Sequence, residues 1–165
     1  MSGQPTLRVA SPHDAALLAR TAERMFRDTF GASNDPAQMD MYCRDHYSEA
    51  IQREELVDPE IIVLFLEQEG EVVAYSQMRL RAPESEIWRF YVDRTQHGRG
   101  LAQRLMDESL RALREGGASD VVLAVWEHNP RAIAFYRKSG FEVVGEQPFV
   151  LGEERQRDLV MRRAL

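Results

Sequence analysis

Apolar positions recur along this chain in two rhythms, and the switches between them predict its elements. Leu7-Arg8-Val9 reads as a short first strand, and Ser11-Pro12-His13-Asp14 as a helix start with a capping Ser, Pro in the first turn and Asp three residues past the cap. That helix is predicted to run to about Phe30. Leu17, Leu18, Met25 and Phe26 lie near one face, and Arg20, Arg24 and Arg27 largely on the other. Gly31 to Asp35 breaks it. Two more helical stretches follow, Pro36 to about Tyr47 and Ser48 to about Val57, and Asp58-Pro59 stops the second.

From Ile61 the period shortens. Ile61 to Leu66 and Val72 to Leu80 read as strands around a Glu69-Gly70 turn, an antiparallel hairpin, and Glu86 to Val92 reads as the next strand. A helix follows to about Glu115. Its Leu101, Ala102, Leu105, Met106, Ala112 and Leu113 share one arc, Gln103, Arg104, Asp107, Arg111 and Arg114 the other, and Gly116-Gly117 ends it. Val121 to Trp126 is apolar throughout, the pattern of a strand buried on both faces in a parallel pair. Asn129-Pro130 opens a helix that reaches about Ser139 and ends at Gly140. Phe141 to Val150 and Leu159 to Arg162 read as two last strands, joined by the polar Gly152 to Gln156. With no repeat, low-complexity tract or linker, the pattern predicts one α/β domain over residues 1–165.

Composition narrows the partners. A net charge of −6 and a pI near 5.3 argue against a nucleic-acid binder and suit a cationic small molecule. Met1 to Thr6 has no apolar leader-type run and no segment is long enough to cross a bilayer, so no membrane partner is expected. Cys43, the only cysteine, excludes an internal disulfide and is consistent with a cytoplasmic location; it reads as a buried or half-buried helix residue. His13, His46 and His128 share no metal-ligand spacing, so no metal is expected.

The candidate chemistry begins at His97-Gly98-Arg99-Gly100-Leu101-Ala102, between a strand and a helix N-terminus. Glycines let main chain approach a ligand, and the helix start offers unpaired N–H groups, a combination suited to phosphate; a plain tight turn is the alternative. A P-loop would need Lys-Ser/Thr after Gly100, and the dinucleotide fingerprint a third glycine where Gln103 stands. The surviving pattern is Gln/Arg-x-x-Gly-x-Gly/Ala, filled by His97, Gly100 and Ala102 with His in the first position. Downstream, Asn129 to Phe141 matches Asn-x-x-Ala-x-x-x-Tyr-x-x-x-Gly-Phe at every defined position. On these two motifs the chain resembles the GNAT superfamily of N-acetyltransferases.

That resemblance implies a mixed, mostly antiparallel sheet of about seven strands flanked by helices, with a splayed parallel pair at the cofactor site. It implies acetyl-CoA as co-substrate and direct attack by an amine in a ternary complex. The loop His97, Gly98, Arg99, Gly100, Leu101 and Ala102 would hold the pyrophosphate, and Phe90, Tyr91 and Val92 would offer main chain to the pantetheine arm, the Phe90 amide serving as oxyanion donor. Asn129 and Ala132 would contact the cofactor, and Tyr136 would protonate the departing thiolate. A phenol of pKa about 10 keeps its proton at pH 7 beside a thiol of about 8.5, so the transfer needs only a modest bias. An ammonium of pKa about 10.4 must lose a proton before attack, at roughly 4–5 kcal/mol, so a base is expected. Glu86, eleven residues before His97, has the spacing of a catalytic glutamate in some members; a solvent-exposed strand-start Glu, with water relaying the proton instead, is the competing reading. Trp126 and Phe30 read first as core aromatics, with an acceptor-pocket lining as the alternative.

Met25 to Phe30, Trp126 to Asn129, Val144-Gly145, Phe149 to Gly152 and Asp158 to Met161 resemble the PaiA-like polyamine acetyltransferase branch, which makes a polyamine such as spermidine or spermine the leading acceptor. An amino acid, an antibiotic or a protein N-terminus is the alternative acceptor. A non-catalytic sensor of coenzyme A is the alternative class, and a nucleic-acid regulator ranks third. Dimers are common in the family, so a homodimer is compatible with the resemblance.

Overall fold

The computed structural model describes residues 3–165, which leaves the first two residues of the Met1 to Thr6 stretch outside it. In chain order the elements are β1 (Thr6–Val9), α1 (Ala15–Phe30), α2 (Pro36–His46), α3 (Glu49–Val57), β2 (Ile61–Gln68), β3 (Glu71–Arg79), β4 (Glu84–Val92), α4 (Leu101–Glu115), β5 (Asp120–Trp126), α5 (Pro130–Lys138), β6 (Glu142–Leu151) and β7 (Glu154–Ala164). Local chemistry sets their ends. Asp35 caps α2 by accepting from the Gln38 amide at 3.3 Å, and Ser48 caps α3 by accepting from Ile51 at 3.2 Å. Glu69 and Gly70 both take positive φ, 53° and 79°, the twist that joins β2 to β3 most compactly.

The seven strands form one sheet in the order β1-β2-β3-β4-β5-β7-β6, antiparallel except for the β4–β5 pair. Helices flank the sheet on both faces, as the resemblance implies. On one face Leu105, Met106, Leu110 and Leu113 of α4 pack with Leu64, Met78, Ile87 and Leu123 of the sheet, and α5 adds Tyr136. Each such aliphatic side chain contributes about 1.5–3 kcal/mol by leaving water. On the other face Leu18, Met25 and Phe26 of α1 and Met39 and Cys43 of α2 pack on Val63, Phe65 and Tyr75. Among the described residues no helix is long and apolar enough to cross a membrane.

Two strand expectations are corrected. Strand β5 is not buried on both faces: Val121, Leu123 and Val125 are buried, while Val122, Ala124 and Trp126 alternate with them half-buried. Its second face opens onto a cleft, which is why an apolar run lies there without a full cover. The last strand spans Glu154–Ala164 rather than Leu159 to Arg162, because its polar start, Glu154 to Arg157, is held by the ladder to β6, and β5 joins on the other side from Asp158 onward. The connecting turn shrinks to Gly152-Glu153, with Gly152 at φ 61°.

Candidate active site

The parallel pair comes apart. β4 and β5 pair only from Glu84↔Asp120 to Ile87↔Leu123. Beyond that point β4 stays on β3 through Val92 and β5 stays on β7 through Trp126, so the two strands diverge with Trp88 to Val92 unpaired on the β5 side. A bulge marks the parting. Ile87 pairs with Met78 and Arg89 with Gln77, leaving Trp88 as the extra residue, so Ile87 and Arg89 lie on opposite faces of the sheet. A cavity of about 590 Å³ passes through the gap and takes its lining from both faces.

On the α4–α5 side the lining includes Phe90, Val92, His97, Ala102, Asn129, Ala132 and Tyr136. After β4, Gly98 and Gly100 adopt φ of 85° and 75°, and Gly100 caps α4 from the left-handed region. A Cβ at either glycine would meet no atom within 4 Å, so the backbone conformation rather than crowding calls for glycine. The first amide of this stretch with a main-chain acceptor is that of Arg104, which donates to the Gly100 carbonyl at 3.1 Å; the amides of Gly98 to Gln103 have none among the described residues. They form an open cradle of N–H groups at the positive end of α4. His97 is exposed, its Nε2 3.3 Å from the Val92 carbonyl. Leu101 is buried in the core, so only its amide faces the loop, and Arg99 leans on Gln96 outside the cavity.

Asn129 caps α5, its Oδ1 accepting from the Ala132 amide at 3.3 Å. One turn on, Tyr136 is 8 % exposed and ringed edge-on by Phe90, Phe135 and Phe141 at 5.6–6.0 Å. Its hydroxyl makes no hydrogen bond among the described residues, and the side chain lines the cavity. Burial alone pushes the phenol above its ordinary pKa, because the anion would be poorly solvated there.

The α1–α2 side is built differently, from single side chains on many elements. Phe26 stacks on Tyr42 at 4.6 Å, Tyr42 meets Phe149 of β6 at 5.5 Å, and Phe30 meets Trp126 edge-on at 5.6 Å. Trp126 and Phe30 both line the cavity and pack on each other, which corrects the first reading of Trp126 as a core aromatic; Phe30 also packs against the α1–α2 core, so both of its readings hold. Tyr91 also points to this side, stacked on Tyr75. Glu86 lines the cavity half-buried from β4, and Asp28 lines it from α1; neither has an ion-pair partner among the described residues.

Two charged groups escape the sequence reading. Arg89 is 5 % exposed and lies between Trp88 and Tyr47, 4.3 and 4.9 Å from their ring centres. It donates to Glu55 and Gln77 at 2.9 Å and to Gln52 at 3.2 Å, so its charge is answered beneath the cleft floor. Asp158 of β7, 9 % exposed, lines the cavity beside its register partner Trp126. Its carboxylate accepts no hydrogen bond and forms no ion pair among the described residues, and burial pushes it up to about 6. Alternation along β7 was the available signal, since Asp158 is in phase with Val160 and Arg162 on the face away from Leu159 and Met161.

Residues 19–141 match the model of the acetyltransferase (GNAT) family. The chain is 31% identical to an uncharacterized N-acetyltransferase of Lactobacillus delbrueckii subsp. lactis, over 100% of this chain and 99% of the relative. It is 33% identical to an uncharacterized N-acetyltransferase of Mycobacterium tuberculosis, over 92% and 98%. Among solved structures, the PaiA N-acetyltransferase of Thermoplasma acidophilum in complex with coenzyme A superposes with a TM-score of 0.83 at 18% identity, covering 97% of this chain and 99% of that one.

Proposed function

Because the chain belongs to the acetyltransferase (GNAT) family, we propose that it moves the acetyl group of acetyl-CoA to a primary amine of a small cationic molecule, with a polyamine such as spermidine as the leading acceptor. In this reading residues 1–165 act as one domain. The observation that carries it is the parting of β4 from β5 at Ile87 and Leu123, which leaves a strand edge open between a glycine cradle and a buried phenol.

The groups present fit the cofactor. The amides of Gly98 to Gln103 suit a diphosphate, each helix-end charge contact being worth about 0.3–1 kcal/mol. Main chain at Phe90 and Val92 suits the pantetheine amides, and Ala132 leaves room beside Asn129. The acetyl thioester supplies the electrophile. Glu86, directly or through water, takes the proton of the amine, whose nitrogen then attacks the acyl carbon. The Phe90 amide steadies the charge that gathers on the acyl oxygen, and Tyr136 gives its proton to sulfur as the C–S bond breaks. Burial raises the pKa of phenol and thiol alike, because both anions lose solvation, so the gap between donor and acceptor changes little.

Support for a cationic acceptor comes from Asp28, Glu86 and Asp158, carboxylates on the α1–α2 side that form no ion pair among the described residues. The deciding experiment follows thiol release from acetyl-CoA over a panel of polyamines, amino acids, aminoglycosides and peptides. Spermidine or spermine is expected to turn over best. Turnover confined to other amines would remove the polyamine reading, and coenzyme A binding without thiol release for any amine would point to a sensor.

A further inference from the structure

We infer that Asp158 anchors the acceptor: its carboxylate receives a cationic nitrogen of the amine substrate other than the one that is acetylated. The inference rests on the acetyl-transfer reading and assigns one group of its acceptor site. A carboxylate buried to this degree is almost always paired, because an ion removed from water without a partner is costly. Asp158 has no partner among the described residues.

The surroundings explain why none is within the fold. Its register partner on β5 is Trp126, whose indole N–H is itself sealed with no acceptor, and its partner on β6 is Gln147, a neutral amide. Arg89, the buried cation of this side, is committed to Glu55, Gln52 and Gln77. Of the other charged residues that line the cavity, Asp28, Glu86 and Asp93 have the same sign as Asp158, and neither Arg94 nor Arg131 forms an ion pair or hydrogen bond with it among the described residues. No cation among the described residues reaches Asp158, and the cavity is the route by which one from outside arrives.

Position separates this role from base catalysis. Asp158 sits level with Trp126, three residues beyond the last β4–β5 pair and one strand past β5, whereas Glu86 lies on β4 itself. With strands about 4.8 Å apart, Asp158 stands at least two strand spacings from β4, the distance of a second nitrogen rather than of the attacking one. Phe30, Trp126, Tyr42 and Phe149 also wall the cavity, with aromatic rings suited to methylenes and to a passing cation.

Asp158→Asn keeps the shape and removes the charge. Thiol release is measured with 1,4-diaminobutane and with n-butylamine, and diamine binding to the coenzyme A complex is followed by calorimetry. The wild type is expected to prefer the diamine tenfold or more in kcat/KM. In the variant that preference collapses toward unity through a rise in KM for the diamine, diamine binding is lost, and coenzyme A affinity is kept. Equal falls in kcat for both amines, with the pH profile altered, would make Asp158 the base and overturn the assignment, as would an unchanged diamine preference. A variant that loses coenzyme A affinity or melts lower than the wild type at pH 7.5 would assign Asp158 a structural role instead. If no amine turns over, the acetyl-transfer reading falls, and calorimetry still decides whether Asp158 binds the diamine.

Discussion

The two sides of this cleft are built on opposite rules. The α4–α5 side is mostly main chain: two left-handed glycines, an open row of amides and a strand edge released by the parting of β4 and β5. The α1–α2 side is side chains alone, contributed by α1, α2, β4, β5, β6 and β7, with three carboxylates, Asp28, Glu86 and Asp158, left without an ion-pair partner among the described residues. Main chain recognises a diphosphate whatever residues surround it, so His97 can stand in the loop without closing the cradle. Side chains recognise a particular acceptor, so a single substitution there changes which amine fits. In the proposed reading the fold thus fixes the donor by geometry and leaves the acceptor to local chemistry.

The comparison is most exposed at Tyr136, the one side chain on the main-chain side to which a chemical step is assigned. Its hydroxyl makes no hydrogen bond among the described residues, so Tyr136→Phe is expected to fold normally. Turnover should fall about 10²–10⁴-fold while coenzyme A affinity moves less than about threefold, read by steady-state kinetics and calorimetry. Wild-type turnover would show that the acid is elsewhere.

On the opposite side the largest effect is structural. Glu55→Ala leaves the Arg89 guanidinium buried without its counter-charge, at about 3–5 kcal/mol, enough to lower the melting temperature by roughly 10 °C in a chain of this length. Replacing Arg89 and Glu55 together by Met should recover most of that loss. A double variant no better than the single would show that the pair does more than neutralise itself.

These contrasts also explain what the sequence made legible. The glycine loop and the run from Asn129 to Phe141 each lie within one short segment, so spacing alone exposed them. The acceptor side is assembled across 130 positions, Asp28 to Asp158, and no local pattern spans that distance. Arg89 was hidden by the bulge at Trp88, which breaks the period of two and turns a charged residue inward from an otherwise apolar strand. Asp158 fell one residue outside the strand expected from Leu159, because the polar start of β7 is held by its neighbours rather than by its own composition. Phe30 and Trp126 were read as core because an aromatic on a cavity wall and one in a core carry the same pattern.

Asp158 also sharpens the comparison through stability. Its folded pKa of about 6 lies above the ordinary 3.8, so the folded chain binds its proton more tightly than the unfolded chain does. Stability should therefore fall as pH rises from about 4 to about 6, by about 2–3 kcal/mol, and stay at the lower level above that window. Asp14, held low chiefly by its hydrogen bonds to Arg8, acts in the opposite sense and only below the ordinary carboxylate range, so the two windows separate. Urea unfolding of the wild type and Asp158→Asn at pH 4.5 and 7.5 tests this: the variant should lack the decline. A decline of equal size in both would assign it to another group.

A smaller effect is expected at Glu86, because water can relay its proton. Glu86→Gln should lower kcat about 10–100-fold and flatten the alkaline-rising limb of the pH–rate profile. An unchanged profile would give the base role to water or to another carboxylate of the acceptor side, and would weaken the division between an anchoring Asp158 and a catalytic Glu86.

The smallest effect is at Gly100, where it asks whether the donor site is a matter of backbone alone. Its φ of 75° costs a residue with a Cβ roughly 1–2 kcal/mol, while the space around that Cβ is empty. Gly100→Ala is therefore expected to weaken coenzyme A binding about tenfold and to leave the diamine preference intact. Asn tolerates the left-handed region better than Ala and is a good helix cap, so Gly100→Asn should recover part of the affinity if conformation is the cause. If the ligand instead needs the volume a side chain would occupy, Asn, being larger, binds more weakly than Ala. That order of affinities would show that the cradle recognises by shape as well as by its amides, and would narrow the difference between the two sides of the cleft.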